Sequence, residues 1–333
     1  MSGGVEVSRA ERRHAGDDAA VALAVEALGG WSYDGGLAEQ GVALGPLTTY
    51  RVGGPATVFV RAGRREDLVR VGVAAQVSGL PVLPIGRGSN MLVADAGFHG
   101  IAVSLVDLAE HLEMDTDGGG VTTSAGMSLP VLARKTAASG LTGFEWAVGV
   151  PGSIGGAVRM NAGGHGSDMA ESLVDVTVVD LAGRPTPSVV KLAAAELGLG
   201  FRHSELSSTA VVVEARLQLA PGDRETSERL ISEIVAWRRA NQPGGQNAGS
   251  VFVNPVPGEV SAGELIDAAG LRGLRVGSAH VSPKHANFIQ VDDGGAADDV
   301  RALMRIVRER VQSNSGYSLR SEIRLVGFDE GAD

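Results

Sequence analysis

Residues 149–164 read Gly149-Val-Pro-Gly-Ser-Ile-Gly-Gly-Ala-Val-Arg-Met-Asn-Ala-Gly-Gly164. Six of the sixteen are glycine and most of the others are small, so the stretch brings little side-chain bulk to a core. Backbone of this composition suits close approach to a flat or extended ligand. A second loop, Gly86-Arg-Gly-Ser-Asn90, follows Pro81-Val-Leu-Pro-Ile85, which reads as a short buried strand. Its glycines let successive N–H groups converge on an anion, and Ser89 and Asn90 add side-chain donors. Either loop alone reads equally well as a tight turn or a crossover between sheets. Two in one chain favour a dinucleotide pyrophosphate. Neither has the spacing of the Rossmann fingerprint, and no later ribose-binding carboxylate is evident.

Around these loops the chain alternates helix and strand. Thr57–Arg61 reads as a strand and Arg65–Val77 as a helix with acidic residues in its first turn, so a β-α-β unit leads into Gly86. Strands are expected at 101–105, 121–124, 173–180 and 210–219, with helices near 129–138 and 188–196. Pro221-Gly222 marks a break before an amphipathic helix, Glu225–Arg239. Beyond it come a helix at 261–269, a strand at 286–291, a helix at 296–312 and a strand at 322–326. Upstream, Ala19–Leu28 is a helix stopped by Gly29 and Gly30, and residues 1–17, polar and charged, are expected to fray. The result is an α+β protein with joints near 105 and 220. Its divisions are an N-terminal extension and helix (1–40), two ligand-binding parts (41–105 and 106–220), and a C-terminal part (221–328).

Composition narrows the function. With 333 residues and 44 % apolar content the chain can build several cores, and 20 % charged residues do not indicate disorder. Aromatics at 4 % argue against stacking platforms for single-stranded nucleic acid, and a net charge of −10 argues against binding to phosphate backbones. There is no cysteine, which removes thiolate nucleophiles, disulfides and zinc-thiolate sites. The seven histidines show no metal-ligand spacing; His280 and His285 are five apart without a supporting carboxylate pattern, so no metal is expected. No signal peptide and no membrane-length apolar run are visible, and a cytoplasmic location away from membranes is the expectation.

Three further segments carry polar groups in short, glycine-flanked settings. These are Gly249-Ser-Val-Phe-Val-Asn-Pro255, Gly200-Phe-Arg-His-Ser204 and Ser321-Glu-Ile-Arg-Leu-Val-Gly327. Taken separately, Ser250 reads as a turn or strand-start residue, Arg202 as a surface or ion-paired cation, and Glu322 as an exposed strand position beside its own salt-bridge partner, Arg324. Ser250 lacks a Gly-x-Ser-x-Gly elbow or a histidine partner, so no triad fits it.

Taken with Thr48-Thr-Tyr-Arg-Val-Gly-Gly-Pro-Ala56 and the two loops, these segments resemble one family, the flavin-dependent UDP-N-acetylenolpyruvoylglucosamine reductases of bacterial cell-wall synthesis. The resemblance runs from about Leu47 to Gly327. It implies a two-part FAD-binding region of the vanillyl-alcohol-oxidase (PCMH) type at 41–105 and 106–220, and an α+β domain for the UDP-sugar at 221–328. FAD would be held without a covalent bond by Arg51, Gly86, Arg87, Gly88, Ser89, Asn90, Met91, Gly149, Val150, Pro151, Gly152, Ser153, Gly156, Asn161, Ala162 and Arg324. The implied reaction reduces an enolpyruvyl ether on UDP-N-acetylglucosamine to the lactyl ether of UDP-N-acetylmuramate, a peptidoglycan precursor, with hydride from NADPH by way of FAD. Arg202 matches the family's catalytic arginine and would hold the carboxylate as enolate charge develops. Ser250 would donate the proton, and Glu322 would orient the carboxylate or act as a protonated donor. Asn254 would contact the diphosphate. Lys284 and His285, in Ser282-Pro-Lys-His-Ala-Asn-Phe288, are candidates for phosphate contacts, with a structural histidine the competing reading of His285.

The chain departs from the family pattern at three places. Val253 stands where lysine is common, Leu319-Arg-Ser-Glu322 replaces Leu-Glu-Pro-Glu, and Gly163-Gly-His-Gly166 stands where a tyrosine often follows the Asn-Ala-Gly run. No tyrosine lies between residues 51 and 316, so the substrate-capping tyrosine loop of one branch is missing. NADPH and the nucleotide sugar are expected to use one cleft in turn, in a monomer or weak dimer. A flavoprotein acting on another acceptor, or a flavin-binding protein without turnover, are the alternatives that the residues leave open.

Overall fold

A computed structural model describes residues 9–108, 111–184 and 186–328, with side chains from residue 17 onward. The first helix, α1 (Arg9–Ala27), starts ten residues before the expected position. Periodicity marked only its buried half, where Ala24 and Val25, with Leu28 just past its end, meet the core; the charged half before it is equally compatible with helix. Of the segment expected to fray, residues 9–17 are therefore helical, and residues 1–8 lie outside the described residues.

Helix α2 (Arg65–Ser78) crosses over between parallel strands Ala56–Arg61 and Val82–Ile85, which flank Phe98–Ser104. Its start is fixed by Asp67, whose Oδ2 accepts from the N–H groups of Gly63 and Arg64 at 3.0 Å each, and its end by Gly79 at φ 73°. An antiparallel strand, Ala38–Gln40, completes this four-stranded sheet. The loop 86–90 leaves the carboxyl end of Val82–Ile85, where open α/β sheets hold ligands.

The second sheet has five antiparallel strands in the order Ser188–Ala193, Leu173–Asp180, Ala210–Gln218, Gly120–Ser124, Leu112–Met114. Helices α3 (Leu129–Ala138) and α4 (Ile154–Met160) share one apolar core with it. The helix expected at 188–196 is wrong. Ser188–Ala193 is an edge strand, in register with Leu173–Asp180 from Asp180↔Ser188 to Asp175↔Ala193, and only Ala194–Leu197 forms a 3-10 turn. Two adjacent β-branched valines, 189 and 190, outweigh the alanine-rich end of the segment because the neighbouring strand pairs their backbone.

The C-terminal region begins with α5 (Arg224–Asn241), N-capped by Asp223, whose Oδ1 accepts from the Thr226 N–H at 2.9 Å. Helices α6 (Ala262–Ala268) and α7 (Ala297–Ser315) pack with the strands Arg275–Val276, Ala279–Val281 and Ile289–Val291. On α7, Val300, Leu303, Met304, Val307 and Val311 form the single buried stripe that its periodicity predicts. Residues 286–288 belong to a turn rather than to the strand expected from 286. The last strand, Arg324–Val326, returns to pair in parallel with Met91–Val93, so Glu322 precedes that strand instead of lying in it. Asp95, just past Met91–Val93, caps α7: its two carboxylate oxygens accept from the N–H groups of Ala297 and Asp298 at 3.0 Å each. This return strand and cap tie the C-terminal region to the loop 86–90.

Candidate active site

Glu322 sits where three segments meet. Its N–H donates to the carbonyl of Val251 at 2.8 Å, and Phe252 and Ser321 form an antiparallel bridge, so Ser250 lies one residue from the contact. Its carbonyl accepts from the amide of Asn90 at 3.1 Å, and the Arg324 N–H donates to the Asn90 carbonyl at 3.0 Å. Its side chain meets Arg202: Nε donates to Oε1 at 3.0 Å, both groups being mostly buried. Arg202 and Glu322 are thus paired beside the first glycine loop, and the segment carrying Ser250 runs alongside Glu322. Burial pushes the Glu322 carboxyl above its ordinary value, and the Arg202 guanidinium opposes that rise. Ser250 is half-buried, and among the described residues its Oγ has no hydrogen-bond partner.

Arg202 is held on its other edges as well. Nη2 donates to the carbonyl of Gly163 at 2.7 Å and Nη1 to that of Asn161 at 3.5 Å. The loop carrying it is pinned by Asn161, whose amide donates to the Gly200 carbonyl and to Asp168 Oδ2 and accepts from the Ala170 N–H, each at 3.0 Å. The Asn161 side chain is therefore taken up by protein. Among the described residues, the non-glycine positions with positive φ are Arg51 (56°), Asn161 (39°), His165 (55°) and Arg202 (55°). Each costs roughly 1 kcal/mol or more, and three of them, Asn161, His165 and Arg202, lie on the segments that meet at the Arg202 guanidinium, where strain is often stored at functional sites.

The two glycine loops face each other. A β-carbon on Gly86 would lie 2.4 Å from Ser153 Oγ, and one on Gly152 (φ 142°) 3.0 Å from Ser89 Oγ. On Gly88 (φ 57°) it would fall 2.2 Å from the carbonyl oxygen of Leu47. Thr49, whose N–H donates to the Gly88 carbonyl at 3.2 Å, has a buried Oγ1 without a partner. Arg324 is exposed as a residue and, among the described residues, is paired with no carboxylate; partial desolvation of its guanidinium lowers its pKa, and burial followed by Arg324 lowers that of the half-buried Arg159. A site with a guanidinium free of carboxylate partners, an orphaned hydroxyl and a cradle that β-carbons would fill suits the pyrophosphate of a dinucleotide. Met91 is buried in the strand that pairs with Arg324, while Arg87 and Pro151 are exposed on the loops. Arg51 is exposed, its N–H donating to Thr48 Oγ1 at 3.1 Å. Gly149, Val150, Gly156 and Ala162 complete the second loop around α4.

The residues expected to contact the sugar nucleotide make bonds within the protein. Asn254 Oδ1 accepts from the Ala262 N–H at 3.0 Å. Lys284 Nζ donates to the carbonyl of Arg239 at the end of α5. His285 closes its own turn: Nδ1 accepts from the Asn287 N–H at 3.3 Å and the ring rests 4.7 Å from Phe288, with burial and then Arg272 lowering its pKa. The sequence reading missed two residues. Asn287, buried, pairs with the Phe252 peptide as a strand would: Oδ1 accepts from its N–H at 3.0 Å and Nδ2 donates to its carbonyl at 2.8 Å. Nothing in the local pattern announces this. Arg159 reaches the carbonyls of Leu206, Ser207 and Ala210, and a large cation inside a glycine-alanine run was the signal available for it. Among the described residues, no group of three histidine and carboxylate side chains could hold a metal, and no helix is long and apolar enough to cross a membrane.

Residues 56–186, which hold the dinucleotide cradle, match the model of an FAD binding domain, and the class is that of a flavoprotein. Residues 241–326 match that of the UDP-N-acetylenolpyruvoylglucosamine reductase C-terminal domain. The chain is 41 % identical over 286 residues to the UDP-N-acetylenolpyruvoylglucosamine reductase of Heliobacterium modesticaldum, covering 85 % of this chain and 89 % of that one. To the Gloeobacter violaceus reductase it is 42 % identical over 294 residues, covering 87 % and 96 %. The crystal structure of the Thermus caldophilus reductase superposes with a TM-score of 0.72 at 34 % identity, covering 87 % of this chain and 98 % of that one. The chain belongs to the UDP-N-acetylenolpyruvoylglucosamine reductase family.

Proposed function

We propose that this protein is the FAD-dependent reductase that converts the enolpyruvyl ether of UDP-N-acetylglucosamine to UDP-N-acetylmuramate, with NADPH as co-substrate. The observation that carries this reading is the Arg202–Glu322 contact, made next to Ser250 and to Asn90 of the glycine cradle. FAD, when bound, supplies the hydride chemistry between NADPH and the enolpyruvyl group. The loops 86–90 and 149–156 would hold it, with Arg324 supplying positive charge for its pyrophosphate and Arg159, bonded to the carbonyls of Leu206, Ser207 and Ala210, adding charge nearby.

The residues of the chain do the rest. Hydride addition at the vinyl methylene carbon places negative charge on the adjacent carbon and its carboxylate. Arg202, already fixed on two edges, binds that carboxylate and stabilises the charge where it grows. Ser250 donates its proton to the neighbouring vinyl carbon, forming the C–H bond of the lactyl ether; an enolate carbon is basic enough to accept it when water is excluded. Glu322 orients the guanidinium, and in its protonated form hydrogen-bonds the substrate carboxylate. Asn254, Lys284 and His285 lie in the region proposed to take the UDP-sugar, in the cytoplasm.

The test is an anaerobic absorbance experiment on purified protein with FAD. NADPH should bleach the flavin, and the enolpyruvyl nucleotide sugar, added after excess NADPH is removed, should restore the oxidised spectrum and yield UDP-N-acetylmuramate. Bleaching without recovery would sink the substrate assignment.

A further inference from the structure

The hairpin 163–168 links the catalytic arginine to helix α5. Its base is the antiparallel pairing Gly163↔Asp168 and Gly164↔Ser167, and the Gly163 carbonyl accepts from Arg202 Nη2 at 2.7 Å. At its tip stands His165, held at φ 55°, a conformation that β-carbon-bearing residues adopt only when their surroundings enforce it. The enforcing contact is visible. The ring packs edge-to-face on Trp237 of α5 at 5.1 Å between centroids. Its other side lies on the second glycine loop: a β-carbon on Gly149 would meet His165 Cδ2 at 3.0 Å and Ile234 Cγ2 of α5 at 3.2 Å. Both rings are exposed, Trp237 by 49 %, so this packing adds little to the core. A large exposed aromatic and a strained histidine spent on one surface contact need another reason. Two residues away, the hairpin backbone carries one of the three anchors of Arg202.

We propose that His165 is a positioning residue for the reaction: wedged between Gly149 and Trp237, its ring fixes the hairpin and, through the Gly163 carbonyl, the guanidinium of Arg202. The proposal rests on the role given to Arg202 above. A side chain that loses such support keeps its chemistry but is misplaced, and misplacement near 1 Å costs up to about a hundredfold in rate.

The experiment measures both half-reactions by stopped-flow on the FAD-loaded wild type and on His165→Ala, His165→Phe and Trp237→Ala. His165→Ala and Trp237→Ala should slow flavin reoxidation by the enolpyruvyl substrate roughly tenfold at saturation, with bleaching by NADPH within about twofold of wild type. His165→Phe, which keeps a ring without its nitrogens, should recover most of the loss. Because the pair is exposed, melting temperatures should stay near wild type, separating positioning from folding. Reoxidation at the wild-type rate in His165→Ala, or His165→Phe no faster than His165→Ala, would overturn the proposal. A wild type that itself fails to reoxidise would overturn the functional reading, and this proposal with it.

Discussion

Arg202 and Glu322, 120 positions apart in the chain, are hydrogen-bonded through Nε and Oε1 at 3.0 Å, with Arg202 also donating to the Gly163 carbonyl at 2.7 Å. The guanidinium is therefore fixed by groups of the protein itself. An incoming carboxylate meets a cation already oriented, so little reorganisation accompanies charge development. The same contact ties a mostly buried carboxyl to a counter-charge, with Arg320 a weaker second one, and burial still raises its pKa, which makes Glu322 sensitive to pH.

Glu322 has its pKa raised by burial, against the pull of Arg202. A raised carboxyl contributes stability that is complete below its unfolded value, near 4.5, and is lost as pH rises through the folded value. Glu322→Gln keeps the neutral form at every pH. It should therefore melt higher than wild type at pH 8, with the difference shrinking toward pH 4. An equal difference at both pH values, by differential scanning calorimetry, would contradict the assigned cause.

Asn287→Ala removes both bonds to the Phe252 peptide and leaves buried backbone groups unpaired, at a cost of about 2–3 kcal/mol. Urea denaturation should show that loss. Because Phe252 is two residues from Ser250, flavin reoxidation should slow more than bleaching by NADPH.

Gly88→Ala should impair cofactor binding. The new β-carbon would lie 2.2 Å from the Leu47 carbonyl oxygen at a φ of 57°, so the loop must move. A fluorescence titration should give an FAD dissociation constant raised roughly tenfold or more, equivalent to about 1.4 kcal/mol.

Asp95→Ala uncaps α7 and should destabilise the protein by about 1–2 kcal/mol, read from thermal unfolding. Neither half-reaction depends on this carboxylate directly. Rates at saturating FAD should remain within about twofold of wild type.

The sequence was most legible where one residue type does something no other can. Glycines at 86, 88 and 152 marked a cradle because a β-carbon there collides with backbone or with the opposite loop. The α7 stripe was legible because burial has a 3.6-residue period. The strand at 188–193 was not, because an edge strand exposed on its outer side shows little apolar alternation and its pairing partner is remote in energy terms from any local propensity. Arg202, Ser250 and Glu322 came from resemblance. Individually each looked like a surface residue, and only the contacts among 202, 251 and 322 bring them into one place. Asn287 stayed hidden because an amide that substitutes for a strand neighbour leaves no mark on its own surroundings.

The most direct test compares Ser250→Ala with wild type in the two half-reactions under anaerobic conditions. The account predicts that NADPH bleaches the flavin at a near wild-type rate, while reoxidation by the enolpyruvyl nucleotide sugar falls by roughly a hundredfold or more, the contribution of a positioned proton donor. Reoxidation of Ser250→Ala at the wild-type rate would contradict it.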